Sequence, residues 1–423
     1  MEEYRTYTLE ELSIGKGSYG IAASAVPFDS SLHTYLRITD INDDGTLNKS
    51  GLMSVDEDEA GKYLLKPNDI VFARTGNSTG RSYFYDGSDG ELVYAGFLIK
   101  FSLDSAKVNP RILKYYTHSK PYYDWVQSFG TGSTRGNINA KTYGNMPITL
   151  PPRDIQDKIV DVLKSLDDKI EVNRRINDNL EQQAQALFKS WFVDFEPFKD
   201  GEFVESELGM IPEGWRVGTI GELCSLVSGF AFQSCTYVDK GLYRLVTIKN
   251  VQDGYLNSDG AVCLNEVPSR MPIHCLLKIG DILLSLTGNV GRCCFVNEKR
   301  LLLNQRIAKI KPNKDSFWGY IYTFFRNEDI KTLLISIARG TAQANLSPVE
   351  TLKLTTIVPA NEVIEKFSKI VNSLYEEFIK NMIESRRLTQ LRDALLPRLM
   401  SGEIKVGDVT LKKERTEYVR TTI

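Results

Sequence analysis

The sequence is poor in the residues that most catalytic, redox and metal sites require. It has only three histidines, His33, His118 and His274, and six cysteines in 423 residues. All six cysteines lie in the second half of the chain and none forms a Cys-x-x-Cys pair, so neither a zinc ribbon nor a disulfide framework is expected. We therefore predict reduced thiols, no metal and no cofactor.

Long apolar runs and a large net charge are absent too. No run approaches the 18 or so residues of a membrane span, and residues 1–12 are acidic and polar, so we expect no signal peptide or membrane helix and a cytoplasmic protein. The formal net charge of −2 argues against bulk attraction to nucleic acid. Bases nevertheless outnumber acids in residues 68–146 and 280–354, which limits any DNA contact to those stretches; scattered solvated charges are the alternative.

One unit of about two hundred residues is present twice. Tyr4–Leu12 (YRTYTLEEL) aligns with Trp215–Leu223 (WRVGTIGEL), and Asp69–Asn77 (DIVFARTGN) aligns with Asp281–Asn289 (DILLSLTGN). Further matches follow in the same order, Gly80-Arg81 with Gly291-Arg292 and Gly132–Ile138 (GSTRGNI) with Gly340–Leu346 (GTAQANL), at offsets that stay between 208 and 212. Such ordered self-similarity predicts a tandem duplication.

Each copy has the same internal plan. Short β-type runs occur at Ile70–Phe72, Phe97–Phe101 and Ile282–Leu284, and helical stretches occur at Asn109–Phe129 and Ser316–Ala338. This mixture predicts an α/β or α+β lobe in each copy. A long helical pattern almost free of glycine and proline follows each lobe.

The two long helices show coiled-coil patterning. Apolar residues recur at alternating spacings of three and four, from Ile159 to Trp191 in the first helix and from Phe367 to Leu399 in the second. The order lobe, helix, lobe, helix predicts antiparallel pairing, with the lobes at opposite ends and related by a pseudo-two-fold axis.

Four polar residues interrupt the two helical patterns near their middles, namely Asn173, Asn177, Asn381 and Ser385. Antiparallel pairing brings these residues side by side. We predict a buried polar layer that costs stability but fixes register, which matters if the helices act as a ruler. The alternative is that these side chains face solvent.

The junction between the copies resembles that of a known family. Ser190–Phe195 (SWFVDF), followed by Glu207–Trp215 (ELGMIPEGW), is similar to the junction in specificity (S) subunits of type I restriction-modification enzymes. The duplicated segments before each helix resemble the target-recognition domains of that family. The resemblance covers essentially the whole chain, although the first copy has Glu3-Tyr4 where the second has Gly214-Trp215.

The resemblance implies a non-catalytic subunit in which each lobe reads one half of a split, asymmetric DNA site. The helices would set the gap and dock methyltransferase (M) subunits, two of them, while restriction (R) subunits would carry ATP-driven translocation and cleavage. The implied division of the chain is target-recognition domain 1 at 1–152, spacer helix 1 at 153–192, connector at 193–212, target-recognition domain 2 at 213–358, spacer helix 2 at 359–400, and C-terminal tail at 401–423.

Two loops in each copy have the residues that DNA contacts require. Arginine forks suit guanine, Asn and Gln amides suit adenine, and hydroxyls, Lys and Arg suit phosphates. The first loop pair, RTGNSTGR and TGNVGR, contains the candidates Arg74, Thr75, Asn77, Ser78, Arg81, Thr287, Asn289 and Arg292. The second pair, with the start of the following helix, contains Thr134, Arg135, Asn137, Lys141, Arg339, Gln343 and Asn345. The residues that recur in both copies could equally be turn architecture, so the non-repeated Arg74, Arg135 and Gln343 are favoured for base contacts.

Three other classes of function are alternatives: a nucleotide binder, an enzyme and a protein-binding scaffold. Gly15–Gly20 (GKGSYG) fits a nucleotide-binding loop, but no strand pattern leads into it and the second copy keeps only Gly229 there, so a turn is favoured. An enzyme with its own chemistry lacks support because no motor, nuclease or methylation motif is found. A coiled-coil scaffold whose lobes bind proteins is the main rival.

Overall fold

The computed structural model describes residues 4–129, 137–338 and 344–408. The chain divides into two compact units, each of which contains one lobe with part of both long helices. Unit 1 consists of Met1–Asp168 and Leu388–Ile423, and unit 2 is Lys169–Arg387. The boundaries between the units therefore fall inside the helices and not at the ends of the lobes.

The lobe of unit 1 is built on two four-stranded sheets and one strand pair. Its strands are β1 Arg5–Thr8, β2 Ser18–Tyr19, β3 Val26–Pro27, β4 His33–Leu36, β5 Met53–Val55, β6 Asp69–Ala73, β7 Ser82–Tyr85, β8 Leu92–Tyr94, β9 Leu98–Ser102 and β10 Pro147–Leu150. The sheet orders are β2-β9-β6-β7, β3-β5-β4-β8 and β1-β10. Its short helices are α1 Pro110–Tyr116, α2 Lys120–Gln127 and α3 Ala140–Gly144.

The lobe of unit 2 repeats most of this topology, but its second sheet has three strands where that of lobe 1 has four. Its strands, with those of the connector, are β11 Phe203–Ser206, β12 Gly209–Pro212, β13 Arg216–Thr219, β14 Cys224–Ser228, β15 Tyr243–Val246, β16 Cys263–Leu264, β17 Ile282–Ser285, β18 Cys293–Phe295, β19 Leu301–Leu303, β20 Ile307–Pro312 and β21 Thr355–Val358. The sheet β14-β20-β17-β18 has the same order as β2-β9-β6-β7, and β13-β21 corresponds to β1-β10. The short helices are α5 Trp318–Arg326, α6 Glu328–Ile337 and α7 Pro348–Leu352.

The predicted α/β (α+β) class and the tandem duplication are thus confirmed. The apolar runs that predicted strands form β6, β9 and β17, and all five residues of β6 are buried. A strand with both faces covered reads as a continuous apolar run, which explains why β6 does not alternate.

A partly buried ion pair anchors the same strand in each lobe. The carboxylate of Asp69 lies 3.3 Å from the ammonium of Lys100, and that of Asp281 lies 2.7 Å from Lys309. Each carboxylate also accepts a hydrogen bond of 2.8 Å from a backbone N–H three residues earlier. The repeated Asp-Ile dipeptide therefore has a structural role, because it fixes the turn that enters the central strand.

The long helices α4 Arg153–Phe192 and α8 Asn361–Met400 each contain 40 residues. At 1.5 Å per residue each is about 60 Å long. Within unit 2 their segments run antiparallel, because Asn173 donates to Ser385 whereas Asn177, four residues later, contacts Asn381, four residues earlier.

The polar residues at this crossing are in contact with one another. The amide of Asn381 donates to the Asn177 side-chain oxygen at 2.9 Å, and the Asn177 amide donates to the carbonyl of Phe378 at 3.0 Å. The Asn173 amide donates to Glu384 at 2.7 Å and to Ser385 at 3.3 Å. All three asparagines are buried, which favours the polar layer over solvent-facing side chains. Their role in register stays a prediction.

Candidate nucleic-acid interface

The first predicted loop is the turn between β6 and β7 in lobe 1. Gly76–Ser78 form a short 3-10 turn, and Gly76 has a positive φ of 77°. The N–H of Ala73 donates to the carbonyl of Arg81 and the N–H of Gly80 donates back to Ala73. The backbone therefore closes the loop, and the hydroxyl of Thr79 adds a hydrogen bond of 2.8 Å to the carbonyl of Gly76.

The counterpart between β17 and β18 has the same closure. The N–H of Ser285 donates to the carbonyl of Arg292, and the N–H of Gly291 donates to Ser285. Gly288 has a φ of 73°, as Gly76 does within a few degrees. Glycine adopts this left-handed backbone conformation at low energetic cost. Turn geometry therefore partly explains why Thr-Gly-Asn recurs in both loops.

The second predicted loop meets the first in both lobes. Thr75 forms an isolated antiparallel bridge with Asn137, and Thr287 forms one with Asn345. Next to each bridge a backbone N–H, from Ile138 or Leu346, donates to the first loop at 2.9 Å or 2.7 Å. Two segments about sixty residues apart in sequence thus form one surface.

Several predicted contact residues are available on this surface. Asn77, Asn137 and Lys141 are exposed in lobe 1, and Asn289 and Asn345 are exposed in lobe 2. Thr75, Ser78 and Thr287 are half-buried. The hydroxyl of Thr287 donates to the Asn345 side chain at 3.1 Å, so lobe 2 presents these two groups as a joined pair.

Arg81 and Arg292 point into their own lobes. Arg81 donates to the carbonyl of Ile41 at 3.1 Å and pairs with Asp43 at 2.6 Å. Arg292 donates to the side-chain oxygen of Gln252 at 2.5 Å. Because each guanidinium holds its loop to an equivalent neighbouring segment, this repeated arginine has a structural use in both lobes. A DNA contact from either residue stays a prediction.

Arg74 is placed differently. Its guanidinium carbon lies 5.1 Å from the centre of the Tyr19 ring, a cation–π arrangement. The Tyr19 hydroxyl in turn accepts a hydrogen bond of 3.1 Å from the N–H of Ala140, the first residue of α3. Tyr19 belongs to the GKGSYG segment, which contains strand β2 and does not lead into a helix, so this segment is no phosphate-binding loop.

Four of the predicted contact residues lie outside the described residues. They are Thr134, Arg135, Arg339 and Gln343. Two of the three side chains that the sequence favoured for base contacts, Arg135 and Gln343, are therefore expectations only.

The cysteines and histidines add no second site. All six cysteines are unpaired and five are buried, and burial raises the pKa of Cys224 to about 12. In the described ranges no group of three or more His, Cys, Asp or Glu side chains could hold a metal ion. Nor does any helix of that part of the chain combine the length and apolar character of a membrane span.

The geometry describes a duplicated two-lobe protein that presents one composite polar loop per lobe. The family model of the type I restriction modification DNA specificity domain matches it twice, over residues 30–182 and 212–385. The chain therefore belongs to the type I restriction-modification DNA specificity family. This membership makes it a non-catalytic specificity subunit that serves DNA recognition, as the sequence predicted.

Similar proteins support the assignment. The specificity subunit of the HindI type I restriction enzyme of Haemophilus influenzae is 26% identical, over 93% of this chain and 99% of that one. The MjaIX specificity subunit of Methanocaldococcus jannaschii is 29% identical, over 70% of this chain and 69% of that one. The crystal structure of an S subunit from M. genitalium has a TM-score of 0.52 at 17% identity, with 94% and 96% of the two chains covered, which indicates a shared fold.

The structure also identifies residues that the sequence argument missed. Tyr19 lies in the glycine-rich segment that is favoured as a turn, and Arg306 follows the buried strand β19 and belongs to neither predicted loop. Phe97 and Arg306 both accept a backbone hydrogen bond of 3.1 Å at the base of the candidate loop, from Arg74 and Leu286 respectively. Only the folded structure places these residues next to the loop, so no pattern in the sequence indicates them.

Proposed function

We propose that this chain recognises a bipartite, asymmetric site in double-stranded DNA and that each lobe reads one half of it. The observation that supports this is the composite loop, formed by Thr75 with Asn137 in lobe 1 and by Thr287 with Asn345 in lobe 2. Exposed amides and half-buried hydroxyls on a loop closed by backbone hydrogen bonds suit contacts with base edges and phosphates. Residues 1–152 and 213–358 are the proposed target-recognition domains.

The long helices are proposed as the spacer between the half-sites. In this arrangement α4 and α8 pair as an antiparallel coiled coil, with the lobes at opposite ends and related by a pseudo-two-fold axis. The buried contact between Asn177 and Asn381 supports a fixed register, since an unpaired buried amide would be costly in any other register.

The proposed partners are two methyltransferase subunits and the restriction subunits of a type I complex in the cytoplasm. The similar proteins are specificity subunits of type I restriction enzymes, which supports this assembly. On α4, Val172 and Ile176 are four residues apart and exposed by 46% and 40%. Exposed apolar residues at this spacing share one helix face, as a docked protein requires.

Fluorescence anisotropy with duplex DNA tests the DNA-reading function. The full chain, alone and with its methyltransferase partner, is titrated with random-sequence duplexes from which bound sequences are recovered. We expect two separate preferred half-sites at a fixed gap. Binding without sequence preference, even with the partner present, would eliminate the DNA-reading function and leave a protein-binding scaffold as the explanation.

Exchange of one lobe separates the two half-sites. Replacing residues 213–358 with the corresponding lobe of another family member should change one half-site and leave the other intact. The methylated positions in host DNA report both halves at once. A change in both halves would contradict the assignment of one lobe to one half-site.

The spacer role has its own test. Inserting one heptad into α4 and one into α8 keeps the apolar pattern and lengthens each helix by about 10 Å. The gap between half-sites should then increase by about three base pairs, at 3.4 Å each. An unchanged gap would remove the spacer role without affecting the half-site assignment.

A further inference from the structure

The two lobes place an arginine beside the composite loop from different positions in the sequence. In lobe 1 the N–H of Arg74 donates to the carbonyl of Phe97 at 3.1 Å, and in lobe 2 the N–H of Leu286 donates to the carbonyl of Arg306 at 3.1 Å. Arg74 and Leu286 are aligned in the repeat, so Phe97 and Arg306 are aligned as well. The arginine therefore stands at the first of these two positions in lobe 1, followed by the aromatic Phe97. In lobe 2 the first position is the apolar Leu286 and the arginine stands at the second.

The exposure of these side chains also differs between the two lobes. Leu286 is 4% exposed and belongs to the core, whereas Arg306 is exposed at the surface. In lobe 1 Phe97 is 58% exposed, a large apolar side chain next to a cation. Because residues joined by a backbone hydrogen bond lie side by side, a side chain from either position can extend over the same surface.

The support beneath Arg74 is also specific to lobe 1. Gly20 and Gly229 donate equivalent backbone hydrogen bonds, to Leu98 at 3.3 Å and to Ile307 at 3.1 Å. The residue before Gly20 is Tyr19, whose ring lies under the Arg74 guanidinium, and the residue before Gly229 is Ser228, which has no ring. Lobe 2 therefore lacks the platform that Arg74 uses, which is consistent with an arginine from the other position.

Neither guanidinium is neutralised by a carboxylate in its lobe. Across residues 4–129, 137–338 and 344–408, Arg74 and Arg306 have no ion-pair partner; Arg74 contacts the Tyr19 ring, and its buried Nε has no hydrogen-bond partner. Arg81 and Arg292, the arginines that recur in the sequence, do have partners. The arginine that recurs in the sequence, Arg81 or Arg292, thus has a structural role. The arginine that lies beside the loop in each lobe, Arg74 or Arg306, has no carboxylate partner in the part of the chain that the structure describes.

We propose that Arg74 and Arg306 are equivalent DNA-phosphate contacts, one in each lobe. The inference rests on the proposed function. The two lobes read different half-sites, so a cation that both lobes place beside the loop suits what every half-site shares, the phosphate backbone. The earlier reason to regard Arg74 as a base reader was that it is not repeated, and Arg306 removes that reason.

The salt dependence of binding measures the contact. Arg74→Ala and Arg306→Ala are each compared with the unmodified chain, in complex with its methyltransferase partner, on random-sequence duplex and on the recovered site. Removing one phosphate contact should lower the slope of log K against log salt by about 0.9, which weakens binding roughly fivefold to tenfold at 0.1 M salt. The recovered half-site sequences should not change.

Matched controls lie at the opposite end of the same sheet in each lobe. Lys66→Ala precedes β6 and Lys299→Ala follows β18, and both side chains are exposed. Each removes one positive charge from the same lobe, but on the side away from the composite loop. The control variants should leave the slope unchanged. If they lowered the slope as much as Arg74→Ala and Arg306→Ala do, the effect would come from the overall charge of the lobe, and the proposal would be overturned.

Substitution by lysine separates a phosphate contact from a base contact. Arg306→Lys keeps a point charge and should retain the slope, while a bidentate contact with guanine would need the arginine fork. A relaxed base preference in Arg306→Lys, or an unchanged slope in Arg306→Ala, would overturn the phosphate assignment. If the unmodified complex shows no half-site preference, the proposed function itself fails, so the two failures are distinguishable.

Discussion

In unit 1 the carboxylate of Asp167 in α4 lies between two cations, 2.8 Å from Lys114 of α1 and 3.0 Å from Arg392 of α8. It also accepts a hydrogen bond from the hydroxyl of Tyr115 at 3.1 Å. Burial raises the pKa of Asp167, but the two cations outweigh burial and the pKa lies below its ordinary value. At this position lobe 1 therefore contacts its helix segments through charged side chains.

In unit 2 the residues that correspond at an offset of 208 are aromatic or apolar. Tyr375 stands where Asp167 is, Tyr322 where Lys114 is, and Ala184 where Arg392 is, and all three are fully buried. The rings of Tyr322 and Tyr375 meet edge to face at 4.7 Å. The hydroxyl of Tyr375 contacts that of Thr323, the counterpart of Tyr115, at 2.9 Å.

The comparison teaches that the duplication preserved a position and not an interaction. A short helix of the lobe packs on the long helices at the same residues in both units, yet one contact is a buried ion cluster and the other an aromatic core. Packing density can be met by either chemistry if the volume is filled. The attachments should accordingly fail in different ways.

The aromatic attachment should lose most when it is truncated. Tyr375→Ala removes a fully buried ring and should lower the local free energy of unfolding of unit 2 by about 4 kcal/mol. Hydrogen exchange of peptides from α5 and α6 measures it. Tyr375→Phe, which loses only the hydroxyl contact, should cost about 1 kcal/mol, and Glu376→Ala on the exposed face is the control. Equal effects of the three substitutions would break the comparison.

The charged attachment should fail through its unpaired cations. Asp167→Ala leaves Lys114 and Arg392 facing each other partly buried, at a cost of about 3 kcal/mol to unit 1. Exchange in peptides from α1 and α2 reports it. The neighbouring Asp168 is 56% exposed and pairs with Lys164 in its own helix, so Asp168→Ala should change stability by less than about 0.5 kcal/mol. If the two variants matched, the ion cluster would have no special role.

The two units should also differ, by a smaller amount, in how their stability depends on pH. The residues responsible are those that precede α2 and α6. Burial lowers the pKa of His118 to about 4; the charges that act on it are Asp44, Arg392, Lys114 and Asp393. The unfolded chain, with an ordinary histidine pKa near 6.5, therefore binds the proton first as pH falls. Unit 1 should be fully stable above about pH 6.5 and lose stability toward pH 4, with a contribution of at most about 1.4 kcal/mol per pH unit.

Substitution isolates this effect. His118→Gln should remove the histidine contribution from exchange in unit 1 between pH 6.5 and 4, while His33→Gln should leave it. The counterpart in unit 2 is Arg326, which pairs with Glu181 at 2.5 Å and does not titrate in this range. A slope that survives in His118→Gln would assign the pH dependence to other groups.

Sequence reasoning was most successful where the signal is local or repeated. The strand β6, the helices α4 and α8, and the meeting of Asn177 with Asn381 all followed from spacing, because periodicity determines which face of an element is buried. Sequence reasoning was weakest for side-chain partners. No residue near Arg81 in the sequence indicates its ion pair with Asp43, and none near Arg74 indicates its contact with Tyr19.

The sequence by itself determined the duplication, the α+β lobes, the long helices and the two loops that recur. Only the tertiary structure joined Thr75 to Asn137, turned Arg81 inward, and brought Arg306 beside Leu286, the residue aligned with Arg74. The physical reason is that turns and helical periodicity depend on residues a few positions apart. A side chain's partner depends on which distant strands the sheets bring together, and the two copies reached the same arrangement with different residues.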